Sequence, residues 1–196
     1  MRLSRKLAVV VLGFGFLSLA SAVRAADFNI DPYHSSVSFK IKHVIGKVTG
    51  HFDKFTGTFS YEAGKPQTWS AMSTIESASV NTGIEKRDNH LRTPDFFDVT
   101  KYPTLTFKST GVTDVVGDKA KLHGDLTMHG VTKPVVLDLE VAGVVKDPMG
   151  AGNRAGATAT GHVDRTDFGI GPTSGPMAGA IGKDVEITIE TEGVSK

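Results

Sequence analysis

The chain has 196 residues, with 22 lysines and arginines against 21 aspartates and glutamates, which gives a formal net charge of +1. This balance, without a basic patch in the sequence, argues against a nucleic-acid-binding protein. The chain contains no cysteine, so a disulfide framework and a lipid-modified N-terminal cysteine are both excluded. The length beyond residue 25 suits a single domain with a sizeable core.

The first 25 residues have the pattern of a Sec signal peptide. Three basic residues within the first six precede an apolar run over residues 7–20, and small residues then form A-x-A-like cleavage sites. The run is shorter than the roughly 20 apolar residues of a membrane span, and no twin-arginine pair precedes it. We predict cleavage after Ala25, which removes four basic residues and leaves residues 26–196 as the domain, with a formal charge of −3.

Beyond this segment the apolar residues recur with a period of two, which predicts β-strands. From Ser36 to His43 every second residue is apolar, Phe39 among them. The alternation continues over residues 48–61 but shifts phase at Asp53-Lys54. We predict a β-bulge there, because one extra residue would return the apolar side chains to a single face. A third alternating segment covers residues 69–75.

The stretch from Thr82 to Pro103 contains the one segment that reads as a helix. Thr82 and Glu85 form a T-x-x-E pattern, which predicts a capping box at the helix N-terminus. Pro94 ends the helix. The loop that follows presents two adjacent aromatic rings, Phe96 and Phe97.

This helix carries two charges on the face that meets the core, since Ile84, Arg87, Asp88 and Leu91 recur at helical spacing. Charged groups in that position must be paired or hydrogen-bonded. In one interpretation, Arg87 and Asp88 bind backbone or loop groups and hold the helix on the fold. In the other, Arg87 also faces a ligand head group, because its fork of donors suits a phosphate or a carbonyl.

Five more alternating segments follow the helix, at about residues 105–107, 122–128, 135–141, 155–163 and 185–189. Residues 129–134 read as a hairpin connection. Residues 147–152 and 169–182 read as loops, and the second is long enough to form a flap at one end of the fold.

About eight strands and one short helix require a sheet that covers its own apolar face, because one helix cannot cover eight strands. We predict an all-β fold, an extended antiparallel eight-stranded lipocalin-like β-barrel, since closure also removes exposed strand edges. A sandwich of two sheets is the alternative.

A barrel of eight strands is either filled by its own side chains or holds one small ligand. The inward positions that we infer are of two kinds. The small residues are Gly57, Ala71, Ser73, Gly124, Ala157, Ala159 and Gly161, and the large ones are Phe39, Phe59, Trp69, Phe107, Leu126, Leu137 and Ile187. If the small residues leave volume along the axis, the interior suits an extended hydrocarbon chain; if facing side chains fill that volume, the barrel is solid.

Six segments in the same order resemble the YceI-like, polyisoprenoid-binding family. They are I-D-P-Y-H-S at residues 30–35, G-H-F to F-T-G at 50–57, R-D-N-H-L at 87–91, F-F-D to Y-P at 96–103, G-D-L-T-M-H-G-V-T at 124–132 and R-T-D-F-G at 165–169. The resemblance implies a lipocalin-like barrel that is exported to the periplasm, often as a homodimer. It further implies that the interior holds a long-chain lipid such as a polyprenyl diphosphate, an isoprenoid quinone or a fatty-acid-type molecule.

The resemblance also suggests ligand-binding residues. Its R-D-x-H-L and D-P-x-H-S motifs correspond to Arg87, Asp88, His90 and Leu91 and to Asp31, His34 and Ser35, and we predict a hydrogen bond between His34 and Asp88. The full set of candidate ligand-binding residues is Arg87, Asp88, His90, Leu91, Phe96, Phe97, His34, Phe39, Phe59, Trp69, Phe107, Leu126 and Leu137.

Other classes of function find less support in the sequence. No two histidines have the H-x-H or H-x3-H spacing of a metal site, and we expect neither a metal nor a cofactor. A hydrolase with His90, Asp88 and a serine would lack the G-x-S-x-G motif. The prediction is therefore a carrier that is not an enzyme. The alternatives are a periplasmic hydrolase and an accessory protein that docks to a membrane complex, and a carrier would itself dock transiently to a membrane.

Overall fold

The computed structural model describes residues 26–150 and 152–195. The predicted signal peptide, residues 1–25, lies outside the described residues. Within them the chain forms eleven strands and two short α-helices. The strands are β1 (Ala26–Ile30), β2 (Ser36–His43), β3 (Gly46–Phe52), β4 (Phe55–Tyr61), β5 (Ser70–Glu76), β6 (Val80–Asn81), β7 (Thr104–Val116), β8 (Lys119–Met128), β9 (Val131–Lys146), β10 (Asn153–Asp164) and β11 (Ile181–Ser195), and the helices are α1 (Glu85–Leu91) and α2 (Gly175–Ala180).

The strands close into an eight-stranded antiparallel barrel, as predicted. The order β1-β4-β5-β7-β8-β9-β10-β11 returns to its start because β11 also pairs with β1. The other three strands continue the ring at one end, where β2 pairs with β11 and β3, and β3 pairs with β6. Three strands of the barrel are therefore interrupted: β1 continues as β2, β3 as β4, and β5 as β6. The eleven segments thus correspond to the eight strands expected from the alternation.

The interruption between β3 and β4 occurs at the predicted phase shift, but it is not a β-bulge. The backbone leaves the ladder at Asp53 and Lys54, whose N–H groups donate instead to the carbonyl and hydroxyl oxygens of Ser79 at 3.1 Å each. Phe52 and Phe55, on either side, are both buried. The break keeps both rings in the core, as the bulge was expected to do.

The β8–β9 hairpin is tighter than predicted. Its turn consists of His129 and Gly130, with φ angles of 50° and 74°, and β9 already begins at Val131. Two successive residues with positive φ are typical of a type I′ turn, whose twist matches that of the strands. Residues 131–134 therefore belong to the sheet and not to the connection.

Helix α1 forms where the sequence predicts a helix, but the capping box does not form. Ile84 is the N-cap residue and makes no side-chain capping bond. Thr82 instead donates its N–H and its hydroxyl to the buried carboxylate of Asp88, at 2.8 and 2.5 Å. The charged side chain within the helix therefore binds the chain that precedes it.

Helix α2 lies in the segment predicted as a loop, residues 169–182. Its six residues, G-P-M-A-G-A, carry no apolar periodicity that a sequence pattern could reveal. Within the described part of the chain, neither helix is long and apolar enough to cross a membrane.

The inward glycines do not leave empty space, which corrects one step of the sequence argument. A Cβ on Gly124 would lie 2.4 Å from the ring of Phe107, and one on Gly161 would lie 2.6 Å from Leu137. The same relation holds for Gly50 and Phe39. These glycines let aromatic and leucine side chains lie close against the neighbouring strand, so the glycines themselves add no volume to the interior.

Candidate ligand-binding site

The barrel is hollow. A cavity of about 550 Å³ occupies its interior, within the range of small-molecule sites. Its wall is formed almost entirely by apolar side chains of the strands. Among them are Ile30, Val37, Phe39, Phe52, Phe55, Ile75, Leu105, Phe107, Leu126, Met128, Val135, Leu137, Val163, Val185, Ile187 and Ile189.

The cavity opens at the end of the barrel that carries both helices. We call this opening the mouth and define it by Lys42 and His43 of β2, by Ile84, Lys86 and Arg87 at the start of α1, and by Met177 of α2. Arg87 is half-buried, and the other five side chains are exposed. The mouth therefore combines cations with apolar groups, whereas the wall beneath it is almost wholly apolar.

Arg87 reaches the cavity and is also tied to the chain before the helix. Its Nε donates to the hydroxyl of Thr82 at 2.7 Å, and its Nη2 donates to the carbonyl oxygen of Thr82 at 3.0 Å. The same Thr82 binds Asp88, so the two charged residues are linked through Thr82 and do not pair directly. Arg87 lines the cavity and Asp88 does not. Asp88 therefore has the structural role of the first interpretation. Arg87 both holds the helix and faces the cavity, so its position is compatible with a structural role and with contact to a head group.

Most of the other predicted site residues do line the large cavity. The strands contribute Phe39, Phe107, Leu126 and Leu137, and α1 with its following loop contributes His90, Leu91, Phe96 and Phe97. The loop aromatics are held by ring contacts: Phe97 meets Phe52 edge to face at 5.7 Å, and Phe96 meets the ring of His90 at 4.9 Å. His90 is exposed and lies 3.4 Å from the carboxylate of Asp95.

Phe59 and Trp69 lie elsewhere, around a second cavity of about 100 Å³. Six residues line both cavities: Ile30, Ser73, Phe107, Leu137, Ile189 and Thr191. The small cavity therefore adjoins the large one across these six residues, of which Phe107 has the largest side chain. At the small cavity, the rings of Trp69 and Tyr61 contact each other at 4.9 Å, and Trp69 Nε1 donates to the carbonyl oxygen of Glu62 at 2.7 Å. We call this end of the barrel the far end.

The predicted hydrogen bond between His34 and Asp88 is wrong. His34 is exposed, lines neither cavity, and bonds through Nδ1 to Asp31 at 2.8 Å. This hydrogen bond, together with the N–H of Tyr33, holds the pKa of the Asp31 carboxyl below its usual range. The D-P-x-H-S motif forms a local turn, because Asp31 accepts from residues two and three positions later in the chain.

A cluster of charged groups surrounds that turn. Asp31, His34 and Glu192 are the one group of three potential metal ligands that the described residues bring together. Arg154 already supplies the positive charge there, since its guanidinium binds Asp31, Asp147 and Glu192. These three carboxylates raise the pKa of Arg154, and the cluster holds the ends of β1, β10 and β11 together.

Sequence reasoning missed three cationic residues of the site. Lys42 and Lys86 stand at the mouth. Arg165 is 4% exposed, and its guanidinium donates to the carbonyl oxygens of Ile170, Pro172, Ile181 and Gly182. Its burial lowers its pKa. Arg165 also lines the cavity, so it holds the α2 segment against the barrel wall.

A closed antiparallel barrel around an apolar cavity is the architecture of a binding domain. The chain belongs to the YceI-like family: the family model of the YceI-like domain matches residues 28–193. Members of this family have a binding-domain fold.

Relatives and solved structures agree with this assignment. The chain is 41% identical to a UPF0312 protein of Pseudomonas syringae pv. tomato over 200 residues, 99% of each chain, and 40% identical to Protein YceI of Shigella flexneri over 192 residues, 95% of this chain and 97% of the other. The crystal structure of Burkholderia cenocepacia BcnA superposes with a TM-score of 0.74 at 25% identity, covering 83% of this chain and 98% of BcnA. A polyisoprenoid binding domain from Saccharophagus degradans, implicated in plant cell wall breakdown, has the same fold, with a TM-score of 0.64 at 18% identity over 88% of this chain and 100% of the other.

Proposed function

We propose that the protein is a periplasmic carrier or buffer for a long-chain amphiphilic lipid, such as a polyprenyl diphosphate, an isoprenoid quinone or a fatty-acid-type molecule. The observation that carries this proposal is the contrast within one cavity, whose wall is apolar and whose mouth bears Lys42, Lys86 and Arg87. A compact polar metabolite would find too few polar partners on that wall. An amphiphile would find an apolar chamber for its tail and cations for its head.

Burial of the tail supplies most of the affinity. Each methylene removed from water contributes about 0.8 kcal/mol, or about 25 cal/mol per Å² of apolar area. Association and the ordering of the chain offset part of this gain. A wall with few polar groups favours apolar chains in general, so discrimination between lipids must come from tail length and from the head group.

The head group would be held at the mouth. Arg87 has a fork of donors that suits a diphosphate or a carbonyl, and Thr82 fixes two of its nitrogens. Lys42 and Lys86 stand on opposite elements, β2 and α1, and both line the opening. An anionic head group between them would be attracted from two sides, while a quinone would need the arginine alone.

The alternative of a hydrolase has little geometric support. The nearest carboxylate partner of His90 is the exposed Asp95, and Asp88 is engaged by Thr82. In the described ranges, no serine hydroxyl is hydrogen-bonded to a histidine. Turnover of lipid esters or diphosphates that disappears in His90→Ala would favour the enzyme over the carrier.

The test is native mass spectrometry of the protein purified from its own host. We expect a co-purifying lipid whose mass is identified after solvent extraction, bound to a chain that begins at Ala26. A matched variant is Leu126→Trp, which places a larger side chain in the cavity and should reduce lipid occupancy, whereas Val136→Trp, at an exposed position of β9, should not.

Two results together would contradict the carrier proposal. The purified protein would contain no lipid, and it would bind neither added polyprenyl diphosphate nor added ubiquinone. Quenching of the Trp69 fluorescence and equilibrium dialysis measure this binding.

A further inference from the structure

Four large apolar side chains beside the mouth remain in water. They are Ile45, which is fully exposed at 100%, and Val44, Ile84 and Met177, which are 54%, 52% and 47% exposed. We call these four residues the docking surface. Single exposed apolar residues are ordinary on a protein surface, but a group of them at the opening of a cavity indicates a binding surface.

The four side chains belong to one end of the barrel. Val44 and Ile45 form the tip of the β2–β3 hairpin, and the N–H of Val44 donates to the carbonyl oxygen of Ala180 at 2.7 Å. This bond joins the hairpin tip to the C-terminal end of α2. Met177 of α2 and Ile84 before α1 both line the mouth. The docking surface therefore borders the opening through which a ligand must pass.

This end of the barrel carries both cations and acids, and three of its cations are unpaired. Among the described residues, Lys42, Lys86 and Arg87 have no carboxylate within ion-pair distance. The two acids of the adjoining β11 segment are already engaged, Glu186 with Lys47 and Asp184 with His162. Glu85, beside Lys86, is the remaining acid of the α1 start. Unpaired cations beside exposed apolar groups complement the anionic head groups and apolar interior of a lipid bilayer.

We propose that the docking surface seats the mouth on an anionic lipid bilayer, so that a lipid passes between membrane and cavity without crossing water. This inference rests on the carrier function. Ile45 and Val44 would enter the region between head groups and acyl chains, while Lys42 and Lys86 meet the anionic head groups around them. Two modest contributions, one apolar and one electrostatic, give the weak and reversible attachment that a carrier needs.

The test compares two variants in vesicle co-sedimentation. Ile45→Asp places a carboxylate at the hairpin tip, and Val116→Asp makes the same change at a residue that is 76% exposed at the far end. Neither residue lines a cavity. On vesicles of phosphatidylethanolamine and phosphatidylglycerol, Ile45→Asp should bind at least about tenfold more weakly than the parent protein, because burial of one isoleucine is replaced by repulsion. Val116→Asp should bind as the parent does, and vesicles of phosphatidylcholine alone should bind the parent weakly.

Binding of ubiquinone from solution is measured in parallel and should be the same in both variants, which separates failure of docking from failure of the carrier function. Three results would overturn the docking proposal: no binding of the parent protein to the anionic vesicles, equal losses in the two variants, or binding that does not weaken as salt is raised. A change from dimer to monomer in Ile45→Asp, measured by sedimentation, would also overturn it, because a second copy of the chain would then be the occupant of this surface.

Discussion

The two ends of the barrel differ in the ion pairing of their cations and in the burial of their apolar side chains. At the far end, three cations are paired: Lys65 with Glu62, Lys119 with Glu140, and Arg154 with three carboxylates. At the mouth, Lys42, Lys86 and Arg87 lack such partners within the described ranges. Trp69 is buried at the far end, whereas Met177 and Ile84 are about half exposed at the mouth. We infer that the ion pairs at the far end stabilise the barrel, whereas the unpaired cations at the mouth are available to a ligand or a surface.

The largest test of this comparison is a pair of truncations. Trp69→Ala should lower the free energy of unfolding by about 3–4 kcal/mol, because it removes a large buried side chain and its indole bond to Glu62. Met177→Ala at the mouth should change it by less than about 0.5 kcal/mol. Urea unfolding followed by circular dichroism measures both. Similar losses in the two variants would mean that the mouth is part of the core.

A smaller loss of stability is expected where a buried cation supports the mouth. Arg165→Met should lower the free energy of unfolding by about 2–3 kcal/mol, because four carbonyl oxygens lose a charged donor. Hydrogen exchange should then rise over residues 170–182. Lys183→Met, at an exposed position next to this segment, is the matched control and should leave both measurements unchanged; an equal effect of the control would contradict the role given to Arg165.

Head-group recognition gives the next effect. Arg87→Ala should weaken binding of a polyprenyl diphosphate by about tenfold, which corresponds to about 1.4 kcal/mol, and should leave binding of a plain isoprenoid hydrocarbon nearly unchanged. Lys119→Ala, at the far end, should alter neither. Equal weakening of both ligands by Arg87→Ala would show that Arg87 only holds the helix in place.

The smallest effect concerns acid. The N–H of Met149, followed by Arg154, keeps the pKa of the Asp147 carboxyl below its ordinary value, so this carboxylate contributes stability above pH about 4. That contribution disappears as the pH falls through the lowered pKa. The melting temperature of the protein should therefore drop below pH about 4, and the drop should be shallower in Asp147→Asn. The same slope in both proteins would exclude Asp147 as the cause.

The barrel could be predicted because the alternation that specifies each strand is contained in neighbouring residues of the sequence. Alternation along each strand, and a phase shift between Phe52 and Phe55, follow from which residues must face the interior. Asp53 and Lys54 show the limit of that reasoning, since their departure from the ladder depends on Ser79, which is distant in the sequence. The apolar lining of the large cavity by Phe39, Phe107, Leu126 and Leu137 was predictable for the same reason.

The mouth could not be predicted, because it exists only once the ring has closed. Lys42 lies on the polar side of β2 and Lys86 on the exposed side of a helix, so each looks like an ordinary solvated residue in the sequence. Their shared position depends on how β2, α1 and α2 meet. His34 shows the opposite error: the likeness of its motif to that of other chains suggested a contact with the helix, while Asp31, three residues away, satisfies the ring locally.

The boundary at Phe107 divides the interior into two compartments. In the proposed carrier, a tail that ends at this point would contact only the large cavity, while a longer one would have to displace Phe107 to gain a further 100 Å³. Binding affinity would therefore change abruptly at one tail length and not gradually with each added methylene. Phe107→Leu should shift this limit. The length distribution of the lipids that co-purify with the variant from its host would show the change.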